Sequence, residues 1–424
     1  MILREGILLS RDQALIETKN DVVSSSLLKN RAFVFLWLSS TTSYLALSTY
    51  LFAEQWYIIT VLNKESALGI VMMVTMIPRV IFMTIGGVWA DRYKRSQIML
   101  VSSLIRCILV VVMIFFLQMS ILELWPLICF ALLFGVLDAF FSPANTSLLP
   151  SLVSKDVLTR SNSFIQSSNQ IAMFSGPMIG GWVLTVGSFS LLFSIIAIFL
   201  TMTFILSFLI KEDVNTIPQK KGSTKEKLRE GLTYVWKMPF LKNMLFILVI
   251  INFFFFGPLL MGIPLIVDKV IHGVALDLSF LQSSYQGGML VGAIIVGILN
   301  LRKKRGLIIL VMITLLGILL SLLGQIGFLW QGIVLLSMMG VLSSIINVSL
   351  ISTIQEQSDE EKMGRVMSLI NASSNGLVPL SYAFVSLALV LNLTISNIML
   401  LCGILIVVIS VIFTLNSKVI KEVN

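Results

Sequence analysis

Long apolar runs alternate with short polar breaks along most of the chain. An α-helix needs roughly 20 apolar residues to cross about 30 Å of hydrocarbon, and each run reaches about that length. We therefore predict twelve membrane-spanning helices, at residues 32–60, 67–90, 97–118, 124–148, 166–186, 189–210, 242–266, 279–300, 306–325, 328–352, 367–390 and 395–416. The expected fold class is an all-α membrane protein.

The polar segments divide these spans six and six. The predicted order is a tail (1–31), a first bundle (32–210), a linker (211–241), a second bundle (242–416) and a tail (417–424). Within the linker, Ser223 and Glu226 have the spacing of a capping box for a basic amphipathic helix. We expect that helix to lie on the membrane surface.

Lysine and arginine are distributed unequally between the two sides of the predicted bundle. If residue 1 lies in the cytoplasm, the segments on that side carry 26 of these bases, and the other side carries two, Lys64 and Lys269. Cytoplasmic segments of membrane proteins are enriched in such bases. We therefore expect both termini to be cytoplasmic. We expect the protein to lie in a bacterial plasma membrane, in contact with its lipids.

Two segments echo each other at a separation of 210 residues. GGVWADRYKRSQIML (86–100) and VGILNLRKKRGLIIL (296–310) share six of fifteen positions, and each follows the second span of its half. LTRSNSFIQSSNQ (158–170) and MGRVMSLINASSN (363–375) likewise open the fifth span of each half. The repeats predict two pseudo-symmetric six-helix bundles, an arrangement common in secondary transporters.

Composition excludes several other classes of protein. Hydrophobic residues make up 57% of the chain and charged residues 12%, so a soluble protein is ruled out. The net charge of +9 does not indicate nucleic-acid binding, because the bases lie between membrane-length apolar runs. One histidine, three cysteines inside apolar runs and no GxxxxGK[ST] loop leave no metal site, nucleotide site or catalytic residue to predict. We expect neither an enzyme nor a cofactor.

Several short motifs resemble one transporter family. GVWADRYKR (87–95) resembles the loop 2–3 signature of the major facilitator superfamily, Gly-x-x-x-Asp-Arg-x-Gly-Arg, with Lys94 at the second glycine. SGPMIGG (175–181) is similar to the Gly-Pro-x-x-Gly-Gly signature of its antiporters. AFFSPANTSLLPSLVSKDVLTRSNSF (139–164) and GRVMSL (364–369) resemble the macrolide-efflux-type branch of the drug/proton antiporters. The resemblance implies the major facilitator fold and an exporter of antibiotic-like compounds.

The first signature implies a conformational latch. In the family, the aspartate matching Asp91 meets the start of span eleven, here near Arg365, and the arginine matching Arg95 holds it. Gly87 is expected to permit close helix approach, and Arg92 completes the signature. The alternative is that Arg92, Lys94 and Arg95 only set the topology.

The antiporter signature supplies four more candidate residues, Gly176, Pro177, Gly180 and Gly181. We expect span five to pack there against Gly287, Gly288 and Gly292 of span eight, along the seam where the two halves rock. The alternative is a static kinked contact.

Charged residues inside predicted spans are functional candidates, because an unbalanced charge in a bilayer is costly. Arg79, Arg106 and Asp138 lie at a similar depth, so we expect Asp138 to pair with Arg79 or Arg106. The pair is either structural or coupled to proton transfer. Glu54 lies higher in span one, where it either reaches the outer interface or binds a proton or cation. Phe134 stands where the family commonly has an arginine.

Aromatic and amide side chains in the spans are candidates for a substrate cavity. They are Trp56, Tyr57, Asn252, Phe255, Phe256, Tyr285, Gln286 and Asn347. A large apolar pocket with few polar groups suits bulky amphipathic ligands. The alternative is that these aromatic side chains pack or face lipid.

The sequence thus predicts a monomeric secondary transporter. We expect it to export a bulky hydrophobic or amphipathic compound by alternating access and proton antiport, with the proton gradient as its energy source. An exporter or flippase of an endogenous lipid, siderophore or peptide would share every motif. A sensor that does not transport remains a third reading.

Overall fold

A computed structural model describes residues 27–212, 238–299, 305–357 and 360–416, together with Thr233 and Trp236. Its membrane-length helices are α1 (Arg31–Thr60), α2 (Glu65–Arg92), α3 (Arg95–Gln118), α4 (Leu124–Leu152), α5 (Lys155–Val186), α6 (Phe189–Leu209), α7 (Pro239–Phe254 and Phe256–Ile266), α8 (Ala275–Leu299), α9 (Arg305–Leu323), α10 (Leu329–Gln357), α11 (Glu360–Val390) and α12 (Ile395–Asn416). The all-α fold class is confirmed, and the order of the helices is consistent with the twelve predicted spans over this part of the chain. The predicted capping box at Ser223 and Glu226 lies outside the described residues.

The helices differ in polarity. Nine of those described are long and apolar enough to cross a membrane by length and composition alone. The other three, α1, α5 and α11, are equally long but carry many serine, threonine and asparagine residues. All three lie at contacts between helices: α1 packs on α5, α5 on α8, and α11 on α2. Many of their polar side chains are buried against neighbouring helices, such as Ser40 and Thr49 of α1, Asn169 of α5 and Ser381 of α11, where a polar group can find a partner.

Helix contacts repeat between the two halves. In the first half α1 packs on α5 and α6, α2 on α4, and α3 on α4 and α6. In the second half α7 packs on α11 and α12, α8 on α10, and α9 on α10 and α12. Adding six to each helix number in the first set gives the second set. The main contacts between halves, α2 with α11 and α5 with α8, are exchanged by the same operation. The fold is therefore two pseudo-symmetric six-helix bundles, as predicted.

Small residues bring equivalent helices into close contact. A Cβ on Gly135 of α4 would lie 2.1 Å from the Thr75 carbonyl oxygen of α2. In the second half a Cβ on Gly340 of α10 would lie 2.1 Å from the Tyr285 carbonyl oxygen of α8. Because lipid and protein interiors are equally apolar, such packing holds membrane helices together in place of a hydrophobic driving force.

Three glycine predictions need correction. Gly87 has no atom within 4 Å of a Cβ position, whereas Gly86 would place its Cβ 2.3 Å from the Ala139 carbonyl oxygen of α4. The close approach is therefore made by Gly86, one residue and about 100° away on the helix. Gly288 and Gly292 pack against Ser337 and Val341 of α10 rather than against α5.

The seventh span is broken at Phe255. Pro258 has no N–H, and its ring would clash with the carbonyl group of Phe254, so a straight helix is disfavoured there. Ser381 of α11 takes the place of a missing helical hydrogen bond: its Oγ accepts from the Gly257 N–H at 2.9 Å and donates to the Phe253 carbonyl oxygen. The break is tolerated because a neighbouring helix satisfies the freed backbone groups.

The two neighbouring glycines of α2 give a matched test of the packing. We expect Gly86→Ala to destabilise the protein by about 1–3 kcal/mol, because the new methyl group overlaps α4. Gly87→Ala should leave stability unchanged or raise it, since alanine is the better helix former by about 1 kcal/mol. Thermal unfolding of both variants in detergent measures the difference. Equal melting temperatures would show that Gly86 is not at a tight contact.

Candidate functional site

A cavity of about 670 Å³ lies between the two halves. From the first half it is lined by residues of α1, α2, α4 and α5, and from the second half by residues of α7 to α11. Most of the lining is apolar, with Met72, Met76, Met173, Met289 and Met367 prominent. Flexible methionine side chains adapt to ligands of different shapes.

Six of the eight predicted cavity residues line this space: Asn252, Phe255, Phe256, Tyr285, Gln286 and Asn347. The prediction is wrong for Trp56 and Tyr57, which are buried in the apolar core. The Tyr57 hydroxyl donates to the Leu122 carbonyl oxygen at 2.9 Å, on the side of α1 that faces its own bundle. Their neighbour Gln55 faces the cavity instead.

Two arginines flank one carboxylate at the edge of the cavity. Arg79 Nε lies 3.0 Å from Asp138 Oδ2, and Arg106 Nη1 lies 3.7 Å from Asp138 Oδ1. The similar depth of the three residues therefore predicted their meeting, although Asp138 pairs with both arginines rather than with one. Whether this cluster takes part in proton coupling stays a prediction.

The two arginines have different surroundings. The Arg106 side chain is 1% exposed; its Cζ lies 4.5 Å above the Phe141 ring, and its Nη2 donates to Ser43 Oγ at 3.3 Å. The Arg79 side chain is 34% exposed and lines the cavity. Arg106 is thus enclosed within the first bundle, whereas Arg79 presents its guanidinium group to the cavity.

Glu54 is fully buried inside the first bundle. Its Oε1 accepts a hydrogen bond from the Tyr50 hydroxyl at 2.8 Å, and its Oε2 has no hydrogen-bond partner among the described residues. The Tyr50 ring stacks on Phe134, which lines the cavity, with 4.2 Å between the ring centroids. The reading in which Glu54 reaches the outer interface is therefore wrong.

The antiporter signature contacts two different helices. Cβ atoms on Gly176 and Gly180 would overlap Ser48 and Phe52 of α1, so these two glycines pack within their own half. Pro177 lies in the interior of α5 and frees the carbonyl group of Met173, which accepts from Ser48 Oγ at 3.3 Å. The expected packing of this signature against α8 is found only for its fourth residue.

Contacts between the halves gather at the end of the bundle opposite the linker, which we call the distal end. A Cβ on Gly181, the fourth residue of the antiporter signature, would lie 2.5 Å from Ser279 Cβ of α8. Lys269 Nζ lies 2.7 Å from Glu65 Oε1, joining the end of the seventh span to the start of α2. Ser386 donates to the Ser66 carbonyl oxygen.

Two glutamine pairs connect the halves nearer the middle of the bundle. Gln282 Nε2 donates to Gln55 Oε1 at 2.8 Å, and Gln170 Nε2 donates to Gln286 Oε1 at 3.1 Å. Gln55, Gln170 and Gln286 all line the cavity. Gln55, Gln170 and Gln282 were not predicted from the sequence, although an amide inside an apolar span is a recognisable signal of an interhelical contact.

The loop 2–3 signature has an unexpected acidic partner. Arg95 is buried; its Nε donates to the Ala90 carbonyl oxygen at 3.2 Å, and its Nη1 lies 3.9 Å from Glu212 Oε1. Glu212 Oε2 accepts from the Ser96 N–H at 3.0 Å and from Ser96 Oγ at 3.1 Å. A carboxylate at the start of α3 satisfies a free backbone N–H and is favoured by the helix dipole.

This contact changes the predicted latch. Arg95 pairs with Glu212 rather than with Asp91, which is half-buried, while Arg92 is exposed. The side chain of Arg365 lies outside the described residues, so its predicted meeting with Asp91 stays a prediction. The acid that follows span six, Glu212, was the signal in the sequence that could have indicated the pairing.

Comparison with known proteins agrees with this architecture. The family model described as Major Facilitator Superfamily matches residues 36–382. Macrolide efflux protein A of Streptococcus pyogenes is 24% identical over 365 residues, which cover 82% of this chain and 87% of that protein. The enterobactin exporter EntS of Shigella flexneri is 25% identical over 302 residues, or 68% of each chain.

Solved structures show the same fold. The nucleoside transporter NupG superimposes with a TM-score of 0.75 at 11% identity, covering 91% of this chain and 99% of that one. A POT family transporter in complex with 5-aminolevulinic acid gives a TM-score of 0.72 at 13% identity, with 93% and 97% coverage.

The two arginines can be distinguished by a rescue experiment. Asp138→Asn leaves Arg106 buried without its counter-ion, and removing one partner of a buried ion pair typically costs about 3–5 kcal/mol. We expect Asp138→Asn to lower the melting temperature and the added change Arg106→Leu to restore part of the loss. Adding Arg79→Leu instead should restore less, because water in the cavity already solvates Arg79. Equal rescue by both changes would contradict the difference in burial.

Proposed function

Because the chain belongs to the Major Facilitator Superfamily, we propose that it exports bulky, largely apolar compounds by alternating access, driven by inward proton flow. The observation that carries this proposal is the mostly apolar cavity between two pseudo-symmetric halves, with both of its charged lining residues, Arg79 and Asp138, on the first half. The similarity to macrolide efflux proteins supports an exporter of drug-like compounds. The protein is proposed to act as a monomer, without a cofactor.

The direction of opening follows from the proposed orientation. With the linker in the cytoplasm, as the lysine and arginine distribution favours, the distal end faces outward. The cross-half contacts at Glu65, Gln55 and Gly181 then close the outer side, while the cavity extends toward the linker end past Ile251 and Leu350. We propose that this conformation is the inward-facing one, in which substrate enters from the inside.

Glu54 is the carboxylate best suited to carry the proton. Protonating Asp138 would leave the charges of Arg79 and Arg106 unbalanced, whereas Glu54 has no cationic partner among the described residues, so a proton there breaks no ion pair. Glu54 also adjoins Gln55, whose bond to Gln282 must break when the outer side opens. Opening would then expose Glu54 to outside water. We propose that the proton binds there and is released inside.

The loop 2–3 signature is proposed to change partners during this cycle. In the inward-facing state Arg95 is held by Glu212. When the linker end closes, Asp91 would approach the start of α11 near Arg365, and a carboxylate beside a helix N-terminus is stabilised by its dipole. The new interaction would offset the free energy required to separate the halves at the distal end.

A siderophore is the second candidate substrate. The similarity to an enterobactin exporter and to the staphyloferrin A transporter of Staphylococcus aureus favours it over a lipid or a peptide. The two candidates differ in charge, so transport assays with both kinds of compound separate them.

Vesicle transport tests the proton coupling. In inverted vesicles with an imposed pH gradient, we expect wild-type protein to accumulate an uncharged, largely apolar fluorescent compound and to lose accumulation when an ionophore collapses the gradient. Glu54→Gln should abolish the gradient-dependent part, while Gln97→Ala, at an exposed surface position, serves as the matched control. If gradient-driven accumulation survives in Glu54→Gln and is lost in Asp138→Asn, Asp138 rather than Glu54 is the residue that binds the proton.

Cross-linking tests the closure of the outer side. In a background in which Cys107, Cys129 and Cys402 are alanine, Gln55→Cys and Gln282→Cys would place two thiols at the observed amide contact. We expect a short bismethanethiosulfonate reagent to join them and to stop transport, and a reducing agent to restore it. Full transport by the cross-linked protein would mean that the halves need not separate there.

A further inference from the structure

The charged groups around the cavity do not balance. Asp138 is the sole acid on the described lining and Arg79 the sole base, with Arg106 directly behind Asp138. Two guanidinium groups and one carboxylate leave one excess positive charge at this edge. An excess charge in a poorly solvated site is costly, so a negatively charged ligand would be stabilised there.

Glu54 is too distant to supply the missing negative charge. Glu54 bonds to Tyr50, which lies one helical turn earlier on α1. The Tyr50 ring stacks on Phe134, which lies one turn before Asp138 on α4. These two turns, eight residues in all, separate Glu54 from Asp138 by roughly 12 Å along the bundle axis at 1.5 Å per residue. Tyr50 and Phe134 occupy the space between.

Arg79 has hydrogen-bond donors available for such a ligand. Within the described residues its contact with a charged group is the one between Nε and Asp138 Oδ2 at 3.0 Å. Its side chain lines the cavity and is 34% exposed. A guanidinium group carries five N–H donors and binds oxyanions such as carboxylate or phosphate in a two-pronged geometry. Its outer donors can therefore engage a ligand while Nε stays on Asp138.

The opposite wall offers no competing charge. Five membrane-embedded segments of the second half line the cavity and contain no Asp, Glu, Lys or Arg: residues 243–266, 278–299, 306–323, 329–355 and 366–390. The wall there is formed by side chains such as Leu248, Phe255, Met289 and Leu350. A ligand with one charged end and an apolar body would fit with its charge on the first half and its body against the second.

We infer that the cavity selects anionic amphiphiles, whose oxyanion group binds Arg79. The inference rests on the proposed transport cavity and names the substrate class for it. Asp138 then acts as a positioning residue that holds Arg79 through Nε, which leaves the proposed proton-carrying role to Glu54. A cationic amphiphile is disfavoured, because both oxygens of Asp138 already face arginines.

Three probes with one fluorophore and different charges test the charge preference. Dansylglycine is anionic, dansylamide neutral and dansylcadaverine cationic at neutral pH. Binding of each to the full-length protein is measured by fluorescence in nanodiscs of zwitterionic phosphatidylcholine, which contribute no net charge. We expect dansylglycine to bind at least about tenfold more tightly than dansylcadaverine, the size of effect expected for a charge-assisted Arg–carboxylate contact.

Variants assign the preference to Arg79. Arg79→Gln should weaken dansylglycine binding about tenfold and leave dansylamide binding within about twofold, while Arg79→Lys should keep part of the preference, because the charge remains without the two-pronged geometry. Arg31→Gln, at an exposed position outside the cavity, is the matched control and should change nothing. Replacing part of the phosphatidylcholine by phosphatidylglycerol should displace dansylglycine if the natural oxyanion is a lipid headgroup, and should not if it is a soluble compound.

The outcomes separate this inference from the proposed function. The anion preference would be overturned if the cationic probe bound more tightly than the anionic one, or if Arg79→Gln weakened binding of all three probes equally. Binding of dansylamide to wild-type protein would still support the transport cavity in either case. Absence of binding by every probe to well-folded wild-type protein would contradict both.

Discussion

Charge inside a membrane protein must be balanced by nearby groups, and the first half of this transporter is organised around that constraint. Asp138 of α4 faces Arg79 of α2 and Arg106 of α3, so one carboxylate connects three helices of one bundle. The second half has no counterpart at that depth. The pseudo-symmetric backbone therefore carries two chemically different walls: both supply polar and apolar side chains to the cavity, but only the first supplies charge.

Packing within each half differs from packing between the halves. Inside the halves, glycines place helix backbones in direct contact, as at Gly135 and Gly340, and such contacts separate only at considerable cost. At the distal end several cross-half contacts are single polar interactions. The Lys269–Glu65 pair is substantially exposed, and ion pairs of that kind contribute about 0–1 kcal/mol. Close packing also joins the halves, since a Cβ on Gly69 of α2 would lie 2.7 Å from the Tyr382 carbonyl oxygen of α11. The weak polar contacts are the ones that separate at least cost when the halves move as units.

The sequence predicted those features that depend on length and depth, and failed on those that depend on helix rotation. Membrane thickness fixes the length of a span, so most of the spans agree closely. The exceptions are α5, which begins at Lys155 rather than near 166, and α11, which begins at Glu360 rather than 367, because their polar first turns extend beyond the apolar runs. Depth alone brought Arg79, Arg106 and Asp138 together. Neighbouring residues differ by about 100° around a helix, and the sequence does not say which side faces the partner helix. Gly87 was therefore predicted at the close contact that Gly86 makes, and Trp56 was predicted in the cavity that Gln55 lines. Glu212 was missed because its partners, Arg95 and Ser96, are more than a hundred residues away in the sequence.

If the two halves rock so that the cavity opens to each side in turn, distances across the two ends of the bundle must change in opposite senses. Spin labels on Lys64 and Leu393 report the distal end, and labels on Gln97 and Leu415 report the linker end; all four positions are exposed. Electron paramagnetic resonance distances would be recorded for each pair, in a cysteine-free background, at pH 5 and pH 8. We expect a second population in which the distal distance is longer and the linker-end distance shorter, with the two shifting in opposite senses between the two pH values. Distances that stay fixed, or that lengthen together, would rule out rocking of this kind.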